Sequence, residues 1–270
     1  MTEPIIPVLT IAGSDASGGA GIQADLKTFL AHGVYGMSAV TALTAQNTQG
    51  VRAIQEATPE FLAQEIDAVF DDIRPRAVKV GMVASAALIQ TIAEKLREHH
   101  AAHVVVDPVM VATSGAALLA GDAMTALKEE LFPCAELLTP NLPELTRLTG
   151  IGIVSVDAMA AAAERAARDF GTAVLAKGGH FAGGEATDLL AFPDGRQVSL
   201  SAPRSENPNT HGTGCTLSSA IAANLAKGLL LEEAVRRAKA YLTGAIGYGL
   251  DLGEGRGPLW HGWALSSRFF

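Results

Sequence analysis

Asn209-Thr210-His211-Gly212-Thr213-Gly214-Cys215-Thr216 opens an apolar stretch with helical character. Glycine and threonine alternate there, so successive backbone N–H groups can point at one anion. The dipole of the following helix adds partial positive charge. Cys215 at such a terminus is expected to have its thiol pKa pushed below the ordinary value of about 8.5. The plainer alternative is a glycine-rich helix entry with a buried cysteine.

Three further places concentrate polar or glycine residues. Asp107 ends the run His103-Val104-Val105-Val106, and Asn141 and Glu144 lie in Thr139-Pro140-Asn141-Leu142-Pro143-Glu144. Two carboxylates and an amide at strand ends suit magnesium, which takes hard oxygen ligands and keeps several waters. Asn141 serves equally well as the cap of a helix starting near Leu142. Gly13 to Gly21 (GSDASGGAG) is either a flexible turn or a loop whose glycines let a ligand approach backbone donors. Its Gly19, Gly21 and Ala24 match G-x-G-x-x-A, but after Asp25 the next acid is Glu56, so the ribose-binding acid of a dinucleotide site is missing. Asp25, followed in sequence by Gln46 and Asn47, sits in the first turns of a predicted helix, where a carboxylate is favoured anyway.

Other chemistries find no support. There is no G-x-x-x-x-G-K-[ST] and no G-x-S-x-G. His99, His100 and His103 straddle a predicted helix end, where the dipole favours solvated histidines over a metal site. Cys134 follows Pro133 and reads as a small buried hydrophobe.

To bring these residues together, the chain must alternate strands and helices. Short apolar runs at 8–12, 34–43, 77–80, 103–106, near 137 and at 173–176 read as strands. Amphipathic runs at 21–32, 59–73, 85–99, 123–131, 142–148 and 156–170 read as helices. Ile22, Leu26, Phe29 and Leu30 are expected on one buried face of the first helix. Phe61, Leu62, Ile66, Val69, Phe70 and Ile73 form the expected stripe of the second. Pro193-Asp194-Gly195 between 187–192 and 196–200 signals a hairpin, and helices at 214–226 and 231–250 close the chain. This alternation predicts a mostly parallel sheet covered by helices on both faces, with an antiparallel addition near an edge. No linker or repeat interrupts the pattern, so a single domain over 1–270 is the economical reading.

The composition sets the outer bounds. The 270 residues include 28 acidic and 20 basic side chains, a formal charge of -8, and 49% apolar residues. That is too apolar for disorder and too acidic for a general nucleic-acid binder. A small anionic substrate held by local donors remains open. Two distant cysteines argue against a disulfide scaffold and a four-ligand zinc site, and suit a reducing compartment. No apolar run is long enough to span a membrane, and Met1 to Pro7 lack a targeting pattern, so a cytoplasmic protein is expected.

Read together, Ile11-Ala12-Gly13-Ser14-Asp15, Ser17 to Lys27, Thr44-Ala45-Gln46-Asn47-Thr48, Lys79-Val80-Gly81-Met82, Val106 to Met110, Thr139 to Glu144, Leu175 to His180 and Asn209 to Thr216 resemble the hydroxymethylpyrimidine/phosphomethylpyrimidine kinase family of thiamine biosynthesis. The resemblance runs from about residue 8 to 260. It implies a ribokinase-like three-layer α/β/α sandwich. It also implies two ATP-dependent steps: phosphorylation of 4-amino-5-hydroxymethyl-2-methylpyrimidine, then of the monophosphate to the diphosphate.

The family's roles carry over position by position. Gly13, Asp25, Gln46 and Met82 map to the pyrimidine pocket, with Asp25 accepting from the 4-amino group, Gln46 pairing with ring nitrogens and Met82 packing on the ring. The amides of Gly212, Thr213, Gly214 and Cys215 map to an anion hole for the transferred phosphoryl group. Cys215 stands where ribokinase-like relatives place an aspartate base. Lys177, Asn141 and Glu144 would face the nucleotide, and Asp107 and Glu144 would organise Mg2+. A homodimer is expected.

Two positions depart from the pattern. Thr113 stands where many relatives carry lysine, and the end from Trp260-His261-Gly262-Trp263 to Phe269-Phe270 is unusually aromatic, suited to a subunit interface or a tail. Three rivals are carried forward: a pyridoxine or pyridoxal kinase, a catalytically silent binding protein on this fold, and an NAD-binding oxidoreductase.

Overall fold

A computed structural model describes residues 4–110, 121–179, 181 and 184–265. Thr113, His180, Phe269 and Phe270 lie outside the described residues.

In chain order the elements are β1 (Pro7–Ala12), α1 (Gly21–Ala31), β2 (Tyr35–Val40), β3 (Ala42–Asn47), β4 (Gly50–Glu56), α2 (Pro59–Asp72), β5 (Ala77–Val80) and α3 (Ala86–Glu98). Then come β6 (Val104–Val106), α4 (Gly121–Ala126), β7 (Leu137–Leu138), α5 (Leu142–Thr149), α6 (Val156–Phe170), β8 (Ala173–Ala176), β9 (Glu185–Ala191), β10 (Gln197–Pro203), α7 (Thr213–Ala226) and α8 (Leu231–Gly247).

Eight strands form one sheet in the order β10-β9-β8-β7-β6-β5-β1-β2. Neighbours from β2 to β8 are parallel, and β9 runs antiparallel to both β8 and β10. This is the expected hairpin at the edge, turning at Gly195 with φ +89°. Side chains alternate between two cores, as a pleated strand requires. Leu9, Ile11, Val78, Val80, Val104 and Val106 face α2 to α6, whereas Val8, Ala77 and Val105 face α1, α7 and α8. The architecture is the expected three-layer α/β/α sandwich.

Three readings change. The run 34–43 is not one strand: the chain leaves the sheet at Thr41, whose N–H donates to the Ala12 carbonyl and whose hydroxyl donates to the Met82 carbonyl at 2.7 Å. Beyond it, β3 and β4 form a separate two-stranded ribbon with a bulge between Ala45 and Gln46. Leu30 is 71% exposed, because α1 buries Ala24, Asp25, Thr28 and Phe29 instead. Phe61 and Ile73 are also exposed, and α2 packs through Leu62, Ile66 and Phe70.

The sheet has a switch point. From β1 the chain moves outward to β2, then returns to the other side of β1 for β5. Crevices for ligands form where such a reversal leaves strand ends uncovered.

Candidate active site

The C-terminal ends of five parallel strands carry the predicted residues. Gly13 follows β1, Met82 lies two residues past β5, Asp107 follows β6, Asn141 lies three past β7, and Lys177 follows β8. One register places them all along one rim of the sheet.

At the β1 end, a Cβ on Gly13 would lie 2.6 Å from Met82 Cε, so these two expected pocket residues are in contact. The Gly13 to Gly21 loop is not loose. The Asp15 carboxylate accepts from Ser17 N, Ser17 Oγ, Gly19 N and Ala20 N, and lies 2.8 Å from His211 Nε2. Burial alone would raise its pKa, but the hydrogen bonds from His211, Ser17 and Ala20 hold it at about 2. Gln46 Nε2 lies 3.3 Å from His211 Nε2, which links the β3–β4 ribbon to the same cluster.

Asp25 sits beneath the pocket rather than in it. It is 0% exposed, and its two oxygens accept from Lys79 Nζ at 2.8 and 3.0 Å, Thr10 Oγ1 at 2.7 Å and Ser219 Oγ at 2.7 Å. With every acceptor direction engaged and no solvent-facing edge, it has no oxygen to offer a substrate amine. The expected direct contact is therefore corrected to a supporting role. Sheet alternation points Thr10 and Lys79 toward α1 and α7, where Asp25 and Ser219 lie.

At the β6 and β8 ends, Lys177 Nζ lies 2.8 Å from Asp107 Oδ1, which also accepts from Thr139 Oγ1 at 3.1 Å. Asn141 caps α5 in a complete capping box: its Oδ1 accepts from Glu144 N at 2.9 Å, and Glu144 Oε2 accepts from Asn141 N at 2.8 Å. The cap alternative thus holds for Asn141, whose acceptor is occupied. Glu144 is buried, and its pKa is pushed up to about 7: desolvation raises it, Lys177 pulls it back and the Asp107 charge raises it again.

The entry to α7 faces this pair. Gly212 is the N-cap with φ +85°, and a Cβ there would run into the Gly19 carbonyl. A Cβ on Gly214 would lie 3.1 Å from Asp107 Oδ2 and 3.4 Å from Lys177 Nζ. Thr213 N donates to the Thr210 carbonyl at 3.3 Å. Among the described residues no acceptor takes the Gly212, Gly214 or Cys215 amide, so three of the four expected donors are open at the helix start and only the Thr213 amide is corrected to an occupied one.

Cys215 corrects a further expectation. Its thiol pKa is pushed up to about 11, not down. Desolvation dominates, and the Asp25 and Asp107 carboxylates add to it; Lys79 and the Gly21 N–H oppose them without winning. The helix-terminus argument is local, whereas these carboxylates arrive from α1 and β6.

Lys79, Asp15, His211 and Ser219 were not assigned roles from sequence. Lys79 had a readable signal: a lysine inside the apolar strand Ala77-Val78-Lys79-Val80 needs a buried partner. His99 and His103 pair with Asp67 and Glu136, and no group of three or more His, Cys, Asp or Glu side chains that could hold a metal occurs among the described residues.

The chain is similar to known kinases in sequence and in fold. The hydroxymethylpyrimidine/phosphomethylpyrimidine kinase of Rhizobium meliloti (strain 1021) is 56% identical over 256 residues, covering 94% of this chain and 96% of that protein. The thiamine biosynthesis bifunctional protein ThiED of Geobacter sulfurreducens is 52% identical over 254 residues, which cover 94% of this chain and 52% of that longer protein. The solved pyridoxal kinase from Staphylococcus aureus in complex with AMP-PCP and pyridoxal superimposes with a TM-score of 0.87 at 34% identity, covering 97% of this chain and 95% of that one. The family model described as phosphomethylpyrimidine kinase matches residues 15–260. With a family model matching residues 15–260 and a relative 56% identical over 94% of this chain, the chain belongs to the phosphomethylpyrimidine kinase family.

Proposed function

We propose that the chain, as one kinase domain over residues 1–270, uses ATP to phosphorylate 4-amino-5-hydroxymethyl-2-methylpyrimidine. The monophosphate is then phosphorylated to the diphosphate, for thiamine biosynthesis. The observation that carries the reading is the convergence at α7. The open Gly214 and Cys215 amides stand beside the Asp107–Lys177 pair, at the rim that Gly13, Met82 and Gln46 share.

In this reading the pyrimidine lies between Met82 and Gln46, over the Asp25–Lys79 pair. The Gly212, Gly214 and Cys215 amides, with Thr213 closing their turn through its bond to Thr210, receive the charge that develops on the transferred phosphoryl group. Lys177 offers a point charge to the nucleotide phosphates. Asn141 fixes the start of α5 and so the place of Glu144.

Asp107, through the Oδ2 that neither Lys177 nor Thr139 takes, and Glu144 would be the carboxylates that hold a magnesium ion. They are two buried carboxylates close enough that the charge of Asp107 raises the pKa of Glu144, a repulsion a divalent cation relieves. Mg2+ binds typically through one or two carboxylates plus substrate phosphates. When bound, the ion would offset charge on the phosphate oxygens. Cys215 is protonated at rest, so it acts as base for the hydroxyl only in its thiolate form. The second step needs less help, because a phosphate oxygen already carries charge.

Two features support further proposals. Leu43, Ala45 and Ala53 are exposed on one face of the β3–β4 ribbon, which supports a homodimer, tested by light scattering. Both cysteines are free, which supports a cytoplasmic location, and no described helix is long and apolar enough to cross a membrane.

The rival pyridoxal kinase reading is weaker on identity, at 34% against 56%. Steady-state kinetics with the pyrimidine, its monophosphate and pyridoxal test the proposal. A higher kcat/KM for pyridoxal, or no diphosphate formed, would overturn it.

A further inference from the structure

The segment after α8 returns to the entry of α7. His211 N donates to the Gly257 carbonyl at 3.1 Å, Gly257 N donates to Asn209 Oδ1 at 2.9 Å, and His211 bridges to Pro258. Tyr241 Oη donates to the His261 carbonyl at 2.6 Å, and Trp263 packs against Gly244 of α8. The aromatic end, as far as it is described, therefore docks on its own fold.

His261 is 3% exposed, and its Nε2 lies 3.0 Å from Thr216 Oγ1. Thr216 Oγ1 lies 2.8 Å from the Gly212 carbonyl oxygen. The hydroxyl has one hydrogen and the carbonyl has none, so at that distance the hydrogen must lie between them. The hydroxyl then has only lone pairs for His261, and Nε2 must carry a proton and donate. Burial, helped by Lys27, lowers the His261 pKa to about 4, so near pH 7 its single proton is the one at Nε2. The chain His261 → Thr216 → Gly212 thus runs in one direction and ends on the residue that turns into α7.

We propose that His261 is a positioning residue for phosphoryl transfer: it locks the Thr216 hydroxyl onto the Gly212 carbonyl and so holds the turn that aims the Gly214 and Cys215 amides. The inference rests on the anion-hole reading above. A misplacement of such donors by about 1 Å is enough to cost up to about 100-fold in rate.

The test uses His261→Leu, His261→Gln, Thr216→Val and the double variant His261→Leu/Thr216→Val, with kcat, KM and melting temperature measured for each. His261→Leu and Thr216→Val are each expected to lower kcat about 10-fold. The pyrimidine KM should stay within about twofold, the double variant should be no worse than the worse single one, and His261→Gln, which retains a donor, should recover most of kcat. An unchanged kcat in folded His261→Leu, additive losses, or a glutamine variant no better than leucine would overturn the role. If His261→Leu does not fold, Thr216→Val and Thr216→Ser decide: serine keeps the hydroxyl and should retain most of kcat, and an unchanged kcat in folded Thr216→Val, or a serine variant no better than valine, overturns the role. Gly214→Ala separates the two levels, since its methyl meets Asp107 and Lys177 and not His261. Wild-type kcat in Gly214→Ala overturns the anion-hole reading and this inference with it; a crippled Gly214→Ala with silent His261 variants overturns only the role of His261.

Discussion

Lys79 Nζ reaches both carboxylate oxygens of Asp25, at 2.8 and 3.0 Å, with both side chains sealed from solvent at the switch point between β1 and β5. Burial by itself would lower the lysine pKa, but Asp25 outweighs it and the ammonium stays charged. Such a pair adds little net stability, yet removing one partner strands a buried charge.

Lys79→Met is therefore expected to destabilise the protein by about 3–5 kcal/mol in urea unfolding. Asp25→Asn/Lys79→Met should recover a large part of that loss, because no uncompensated charge remains. A double variant as unstable as Lys79→Met would contradict this account.

The raised Cys215 thiol predicts a pH dependence with a definite sign. In the free protein the thiolate fraction is small at pH 7 and grows as pH rises toward about 11. Alkylation of Cys215, resolved from Cys134 by peptide mass spectrometry, should keep accelerating above pH 9. The kcat/KM of the first phosphorylation should show a rising alkaline limb that the second step lacks. Cys215→Ala should cut the first step by at least about 100-fold. A plateau in alkylation below pH 8 would argue for a preformed thiolate.

Asp15 gives an acid-side prediction. Its folded pKa of about 2 lies below the ordinary value of 3.8, so its contribution to stability is complete above about pH 4 and is lost as pH falls toward 2. Asp15→Asn should cost about 2–3 kcal/mol at pH 7, the scale of a hydrogen bond to a buried charge. The gap between variant and wild type should close on acidification over that window. A constant gap from pH 7 to pH 2 would mean that the carboxylate charge is not what holds the loop.

If the nucleotide lies at Lys177 as proposed, Asp188 and Lys239 stand behind its site. Asp188 Oδ2 accepts from Lys239 Nζ at 2.6 Å and Oδ1 accepts from Gly178 N at 2.9 Å, directly after Lys177. Asp188→Asn should raise the KM for ATP about 5- to 10-fold, corresponding to the ~1–1.5 kcal/mol of one weakened hydrogen bond, and leave the pyrimidine KM unchanged. Equal changes in both KM values would point to general loosening instead.

Much of the scaffold was legible in the chain. Helix α6 and strand β8 fall where apolar periodicity puts them, because local spacing suffices there, and Gly171 ends the helix in the left-handed conformation. The ribbon β3–β4 was not legible as separate, since the break at Thr41 is made by bonds to Ala12 and Met82, remote in sequence. Leu30 and Phe61 satisfy helical spacing, but spacing does not say how wide a face the neighbouring sheet covers.

The same division runs through the site. The motif residues themselves determined the family, the strand ends that carry Gly13, Asp107 and Lys177, and the glycine-bearing entry to α7. Only the tertiary structure decided their electrostatic state. Asp25 became a buried ion-pair partner because β5 delivers Lys79 beneath it, and the Asp15 pKa fell to about 2 because His211, 196 positions away, joins the bonds from Ser17 and Ala20. Cys215 lost its expected acidity because burial and two carboxylates from distant segments outweigh a helix terminus. A pKa sums desolvation and charge over everything nearby in space, and that neighbourhood exists only once the chain has folded.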